Sequence, residues 1–185
     1  MYLPGHLGTA LLLYAPLLYV FLDRERPTLA AFGSVSILAF VMVPDIDLWV
    51  PFVRHRGPTH SLLFAVIVGV LVGGLGRVLD ACRTEYAGAV FGWLGFTTSM
   101  LAVGSHLLAD LITPRWQHAE TLLSIEPLWP LVSWSFSLNL ARAGDPALNI
   151  GTLCLGLAAV SLSWLWAKTP GPTSASVDAL DPVES

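Results

Sequence analysis

At 185 residues the chain has the length of one domain, and 55% of its residues are apolar while 12% are charged. Soluble domains carry about 25% charged residues, so this composition excludes an ordinary water-soluble protein. The formal net charge is −4 and the basic residues form no stripe, which argues against a nucleic-acid partner.

Five apolar segments follow one another, and each approaches the roughly 20 residues that a membrane-spanning helix needs. The first two are short for a span and would need tilt or partial insertion. The predicted segments are Leu7–Leu22, Leu29–Val43, Ser61–Leu79, Ala87–Ile112 and Ala147–Ala167. The predicted fold class is therefore all-α, a multi-span transmembrane helical bundle of about five helices. The first segment lacks the features of a cleaved signal peptide and is predicted to be retained.

The chain outside these segments divides into an interfacial part and a tail. Residues 113–144 are too polar for a clean span and too apolar for a free loop, and their tryptophans suit a segment that lies in the membrane interface: Trp116, Trp129 and Trp134. Residues 169–185 are rich in Pro, Ser and Thr and are predicted to be a disordered tail. Residues 1–168 are predicted to form a single integral membrane domain.

Ionisable side chains stand at the ends of the predicted spans, all on one membrane side if the spans alternate. They are His6, Asp45, Asp47, His60, His106 and Asp110. Near the hydrocarbon such groups occur where they are paired, hydrated or functional. Imidazoles with carboxylates are ligands for divalent metals, with zinc the first choice and manganese the second. The pattern predicts a divalent-metal site on this side, called the site side below.

Each motif also has a purely structural interpretation. His106 and Asp110 are four residues apart on a helix and share a face, which suits two metal ligands or a hydrogen bond between packed helices. Asp45 and Asp47 follow a helix-breaking proline. Two carboxylates this close repel each other, and a bound cation would relieve the repulsion. The alternative is an ordinary helix end exposed to water.

The stretch from Arg54 to Ser61 is the densest in candidate chemistry. Gly57 and Pro58 predict a turn, Thr59 is the predicted N-cap of the third segment, and His60 then lies in its first turn as a ligand. Arg54 or Arg56 is able to bind a phosphate through two parallel hydrogen bonds. The alternative is a basic loop that touches lipid headgroups.

Together these motifs resemble the YdjM type of membrane-bound, metal-dependent hydrolases. The resemblance covers roughly residues 1–140 and rests on an N-terminal histidine and three elements: VPDID at 43–47, HRGPTHSL at 55–62 and GSHLLADLITP at 104–114. It implies a multi-span inner-membrane protein, distantly similar to the zinc-dependent phospholipase C and P1 nuclease group. It also implies that the six histidines and aspartates named above bind metal, with Arg56 as a phosphate clamp. The chain departs from the family pattern after Pro114.

Two functions are consistent with these observations. The first is hydrolysis of a phosphoester by metal-activated water, with a phospholipid headgroup as one candidate substrate and Asp45 or Asp47 as a general base. The alternative is a non-enzymatic membrane protein whose metal site serves structure, sensing or transport. Because the polar residues lie at helix ends and the spans show no repeat, surface chemistry is favoured over transport.

Overall fold

The computed structural model of the protein describes residues 1–82, 90–113, 115–117 and 121–169. The described part contains five long helices: α1 (Leu3–Asp23), α2 (Pro27–Phe40), α3 (Leu62–Cys82), α4 (Val90–Ile112) and α5 (Pro146–Trp166). Each is long and apolar enough to cross a membrane, α2 together with the short helix that follows it. The predicted all-α bundle of five spans is confirmed, whereas residues 170–185 of the predicted tail lie outside the described residues.

The end of α2 is set by a proline. We expected this segment to continue to Val43, but the α-helix ends at Phe40 and a 3₁₀ helix follows over Val43–Trp49. In a continued α-helix the ring of Pro44 would clash with the carbonyl of residue 40, and Pro44 has no N–H to donate to it. The chain tightens instead, and the two aspartates of the VPDID motif lie on this tighter turn.

Helix α4 occupies the centre of the bundle and contacts α1, α2 and α3, while α5 packs along α1. Small residues permit these approaches, as is common between helices in membranes. A Cβ atom on Gly8 would overlap the backbone of Thr152, and one on Gly76 would overlap the backbone of Phe91. The resulting core holds Tyr14, whose hydroxyl donates to the Ala30 carbonyl at 2.8 Å across the α1–α2 interface.

The segment between α4 and α5 folds over the site-side ends of α3 and α4. It contains two short antiparallel strands, β1 (Arg115–Gln117) and β2 (Thr121–Leu123). The backbone N–H of Leu62 then donates to the Pro127 carbonyl at 2.9 Å, and the N–H of Leu138 donates to the Leu111 carbonyl at 2.8 Å. These bonds hold the segment against the helices that carry the candidate site.

A buried carboxylate organises the opposite end of the bundle. Asp80 of α3 accepts hydrogen bonds from the backbone N–H groups of Phe91 at 2.8 Å and Gly92 at 2.9 Å, at the start of α4. The first N–H groups of a helix have no partner within it, and a negative charge is favourable there. Asp80 therefore fixes α4, the helix that carries two candidate ligands, against α3.

Two glycines of α3 are expected to respond differently to substitution by alanine. We expect Gly76→Ala to destabilise the protein by roughly 1–3 kcal/mol, because the new methyl group overlaps the Phe91 backbone. For a chain of this size that loss lowers Tm by several degrees in detergent. Gly74→Ala is the matched control, since a Cβ there meets nothing within 4 Å. Equal melting temperatures for the two variants would contradict this account of the α3–α4 contact.

Candidate metal centre

Three elements bring four ionisable side chains together at the site-side end of the bundle. His106 and Asp110 lie one turn apart on α4, Asp45 lies on the 3₁₀ helix after α2, and His60 lies on the 3₁₀ turn Pro58–His60. One nitrogen or oxygen from each residue lies within 4.8 Å of those of the other three. This set, the four-donor group, is able to hold a metal ion.

The spacing within the four-donor group differs from that of hydrogen bonds. His60 Nε2 lies 3.5 Å from Asp45 Oδ1 and 3.4 Å from Asp110 Oδ2. His106 Nε2 lies 3.4 Å and 3.7 Å from the same two oxygens. Ligands of a tetrahedral zinc lie about 2.0–2.2 Å from the ion and so roughly 3.3–3.6 Å from one another. The four nitrogen–oxygen distances, 3.4–3.7 Å, are close to this spacing.

The second nitrogen of each imidazole ring is occupied. His106 Nδ1 lies 2.8 Å from the Val41 carbonyl, so it carries the proton and donates. His60 Nδ1 lies 3.1 Å from Thr59 Oγ1 and 3.3 Å from Asp47 Oδ2. Both Nε2 atoms are buried and have no hydrogen-bond partner among the described residues. A ring held through one nitrogen with the other left open is the usual arrangement of a histidine that binds metal.

Asp47 lies behind His60, outside the four-donor group. Its Oδ1 is 2.9 Å from His55 Nδ1, and its Oδ2 accepts from the backbone N–H of Arg56 at 3.2 Å and from Thr59 Oγ1 at 2.7 Å. The side chain of Asp47 is fully buried. With His55 and His60 it forms a second group that is able to hold a metal. Its contacts fix the orientation of the His60 ring.

His6 lies beside the four-donor group without joining it. Its ring stacks on that of His106, with centroids 3.7 Å apart and planes 3° from parallel. Its Nε2 lies 2.8 Å from the Met1 carbonyl and 3.5 Å from Asp110 Oδ1. Its Nδ1 is buried and lacks a hydrogen-bond partner among the residues that the structure describes. The structure thus places His6 next to the site, with one open nitrogen.

The two oxygens of Asp110 serve different neighbours. Oδ1 accepts from the Arg56 guanidinium at 2.7 Å and from the Met1 amine at 2.6 Å, while Oδ2 faces the two histidines. Arg56 is 2% exposed, and its guanidinium also donates to the Thr113 carbonyl at 3.3 Å. This buried ion pair orients Asp110 and partly balances its charge, and Arg56 itself lies beside the site.

The electrostatics of the group favour a cation. Burial lowers the pKa of the His60 imidazole, but the carboxylates of Asp110, Asp45 and Asp47 oppose this and raise it to about 10. Protons and metal ions compete for the same imidazole nitrogen. The three carboxylates that raise the pKa of His60 would attract a metal cation in the same way.

A small cavity opens above the group. It has a volume of about 130 Å³, and its walls comprise Met1, Tyr2, Leu3, Asp45, Leu48, His55, Arg56, Asp110 and Ala143. Water occupies about 30 Å³ per molecule, so this space admits a few waters or one group of phosphate size. Two of the four candidate ligands are therefore accessible to a small polar group.

One sequence prediction at the site was wrong. Thr59 was expected to cap the third segment, but α3 begins at Leu62, and Ser61 Oγ accepts from the Phe64 N–H at 3.1 Å instead. Thr59 and His60 lie on the preceding 3₁₀ turn, where the Thr59 hydroxyl is free to bond Asp47. The sequence carried no local signal for this contact, because Asp47 and Thr59 are twelve residues apart.

The comparison with protein families places the chain in one family. The family model described as YdjM inner membrane protein matches residues 1–174. No curated protein matches the chain, and no solved structure matches it. The match spans all five long helices and every candidate site residue. The chain therefore belongs to the YdjM inner membrane protein family, and its five apolar helices are those of an integral inner-membrane protein.

Proposed function

We propose that the protein is a metal-dependent hydrolase that cleaves a phosphoester at the site side of the membrane. One observation carries the proposal: two carboxylates converge with two buried imidazole nitrogens that have no hydrogen-bond partner among the described residues, and two members of this group, Asp45 and Asp110, line a cavity beside Arg56. Unpaired buried nitrogens are costly in a folded protein, and ligation by a metal removes that cost.

His60, His106 and Asp110 would hold a divalent cation as three protein ligands, which leaves the fourth position of a catalytic zinc open to water. Zinc is the first choice because imidazole and carboxylate donors at near-tetrahedral spacing suit it, and manganese is the second. When bound, such an ion supplies Lewis-acid activation of water and of a phosphoryl oxygen near neutral pH. His6, with its open Nδ1, is a further ligand candidate. In this proposal Asp47, also a predicted ligand, orients His60 through its contacts with the ring and with Thr59.

The remaining residues act on substrate and proton. Asp45 lines the cavity, and its side chain is 19% exposed, the highest value in the four-donor group. We assign it the general base, since a carboxylate at the cavity wall is placed to accept a proton from water. Without a cation, three carboxylates would repel a phosphate group. Arg56 adds positive charge at the cavity wall and is the proposed phosphate contact.

The test is hydrolysis by metal-loaded protein reconstituted in lipid nanodiscs. We expect phosphoester cleavage by the parent, and a rate at background for His106→Ala, because that variant removes one ligand from the group. Gly104→Ala is the matched control on the same helix, where a Cβ meets nothing within 4 Å, and it should keep the parent rate. If the loaded parent cleaves neither soluble nor lipid phosphoesters, the enzymatic proposal fails and the non-enzymatic metal site takes its place.

A further inference from the structure

A run of exposed apolar residues begins at the site-side end of the second span and continues beyond it. Residues 48–53, called the apolar loop, contain only apolar side chains. Trp49 is 86% exposed, and Phe52 is exposed to its full extent at 107%. Large apolar side chains gathered on a surface mark contact with a protein or a membrane.

The backbone of the apolar loop supports this exposure. Phe52 has a φ of 73°, in the left-handed region that a bulky aromatic residue rarely adopts. The turn therefore presents the Phe52 ring outward at a conformational cost. In water the exposed ring adds a second cost, whereas in a bilayer its burial is favourable.

The apolar loop also borders the cavity of the metal site. Leu48 lines that cavity together with Tyr2 and Leu3, and each of these three side chains is more than half exposed. The floor carries the charged groups of Asp45, Arg56 and Asp110. The cavity thus combines a charged floor with an apolar rim, and its 130 Å³ admit a polar head but not a large soluble molecule.

We propose that the apolar loop lies in the membrane interface and that the cavity takes the phosphoester head of a membrane-resident amphiphile, whose chains remain at the apolar rim. Lipid is favoured over a protein partner because Trp49 is the last residue of a membrane span, so the loop continues a lipid-facing surface. Tryptophan side chains also settle at this level of a bilayer. The substrate class rests on the proposed function, whereas the position of the loop does not.

The position of the loop is tested with a spin label. Phe52→Cys is labelled in a Cys82→Ser/Cys154→Ser background and reconstituted in phosphatidylcholine–phosphatidylglycerol vesicles. We expect high accessibility to oxygen and low accessibility to a water-soluble nickel complex. The controls are Val35→Cys, which is 67% exposed on α2 and faces lipid, and Arg24→Cys in the exposed turn after α1. A label at position 52 that behaves as the one at position 24 would overturn the proposal and favour a protein partner.

The substrate class is tested with the double variant Trp49→Ser/Phe52→Ser. Both residues are exposed and lie outside the four-donor group. We expect cleavage of a long-chain phospholipid to fall by about tenfold or more, which corresponds to losing the burial of a large apolar side chain. Cleavage of p-nitrophenyl phosphate, a short soluble ester, should be unchanged. Equal rates of phospholipid cleavage in variant and parent would overturn the substrate class. If the parent cleaves neither ester, both the substrate class and the proposed function fail. The spin-label experiment still decides where the loop lies.

Discussion

The double variant His60→Ala/Asp110→Ala is expected to lose a divalent cation that the parent protein retains through purification. The substitutions remove one imidazole and one carboxylate and leave two of the four donors, Asp45 and His106. A site with two ligands cannot supply the coordination that a zinc ion takes in proteins. Elemental mass spectrometry of detergent-purified protein, with and without zinc or manganese reconstitution, measures the ions bound per chain.

The control for this experiment is Gly104→Ala, which changes the same helix without touching the group. It should hold as much metal as the parent. The prediction is contradicted by equal metal content in the double variant and the parent. An absence of metal from the parent even after reconstitution would assign the histidines to helix packing.

The second large effect is expected from Arg56→Met in metal-free protein. The guanidinium is buried and donates to Asp110 and to the Thr113 carbonyl, so its removal takes one of the two cationic groups that donate to the buried Asp110 carboxylate and leaves the Met1 amine as the other. Breaking one partner of a buried ion pair costs about 3–5 kcal/mol. We expect a loss of this size in the free energy of unfolding, measured by titration with dodecyl sulfate in mixed micelles and in the presence of a chelator.

Arg54→Ala provides a matched comparison two residues away. Arg54 pairs with Glu126, but its side chain is 62% exposed, and exposed ion pairs contribute about 0–1 kcal/mol. A similar loss of stability in both variants would mean that the position of Arg56 against Asp110 does not matter. That result would also remove the physical reason for treating Arg56 as part of the site.

The location of the site suits chemistry at the membrane surface. All four donors lie towards the ends of spans, and the cavity above them has both charged and apolar side chains in its walls. A transporter would place ionisable groups near mid-membrane, on broken or repeated helices. In the described residues helix α4, which carries two of the candidate donors, is continuous from Val90 to Ile112, and the group lies towards its end.

Local spacing was enough to predict one part of the site. His106 and Asp110 are four residues apart, and any α-helix places such a pair on one face. The spacing of Asp45 and Asp47 was ambiguous, since it left open whether both side chains reach the same ion. On the observed 3₁₀ helix, with three residues per turn, neighbours two apart point in different directions. Asp45 therefore faces the two histidines, while Asp47 turns back towards His55 and Thr59.

The amino-acid sequence by itself determined the five spans and the membrane environment, because a run of about 20 apolar residues has few stable conformations other than a membrane-spanning helix. Its motifs also identified the family and the six ionisable residues. Only the tertiary structure decided which of these residues meet. Asp45, His60, His106 and Asp110 come from three separate elements, and their distances depend on how α4 packs against the turns after α2 and before α3. Such long-range contacts result from side-chain packing across the whole bundle, which residue spacing along the chain does not encode.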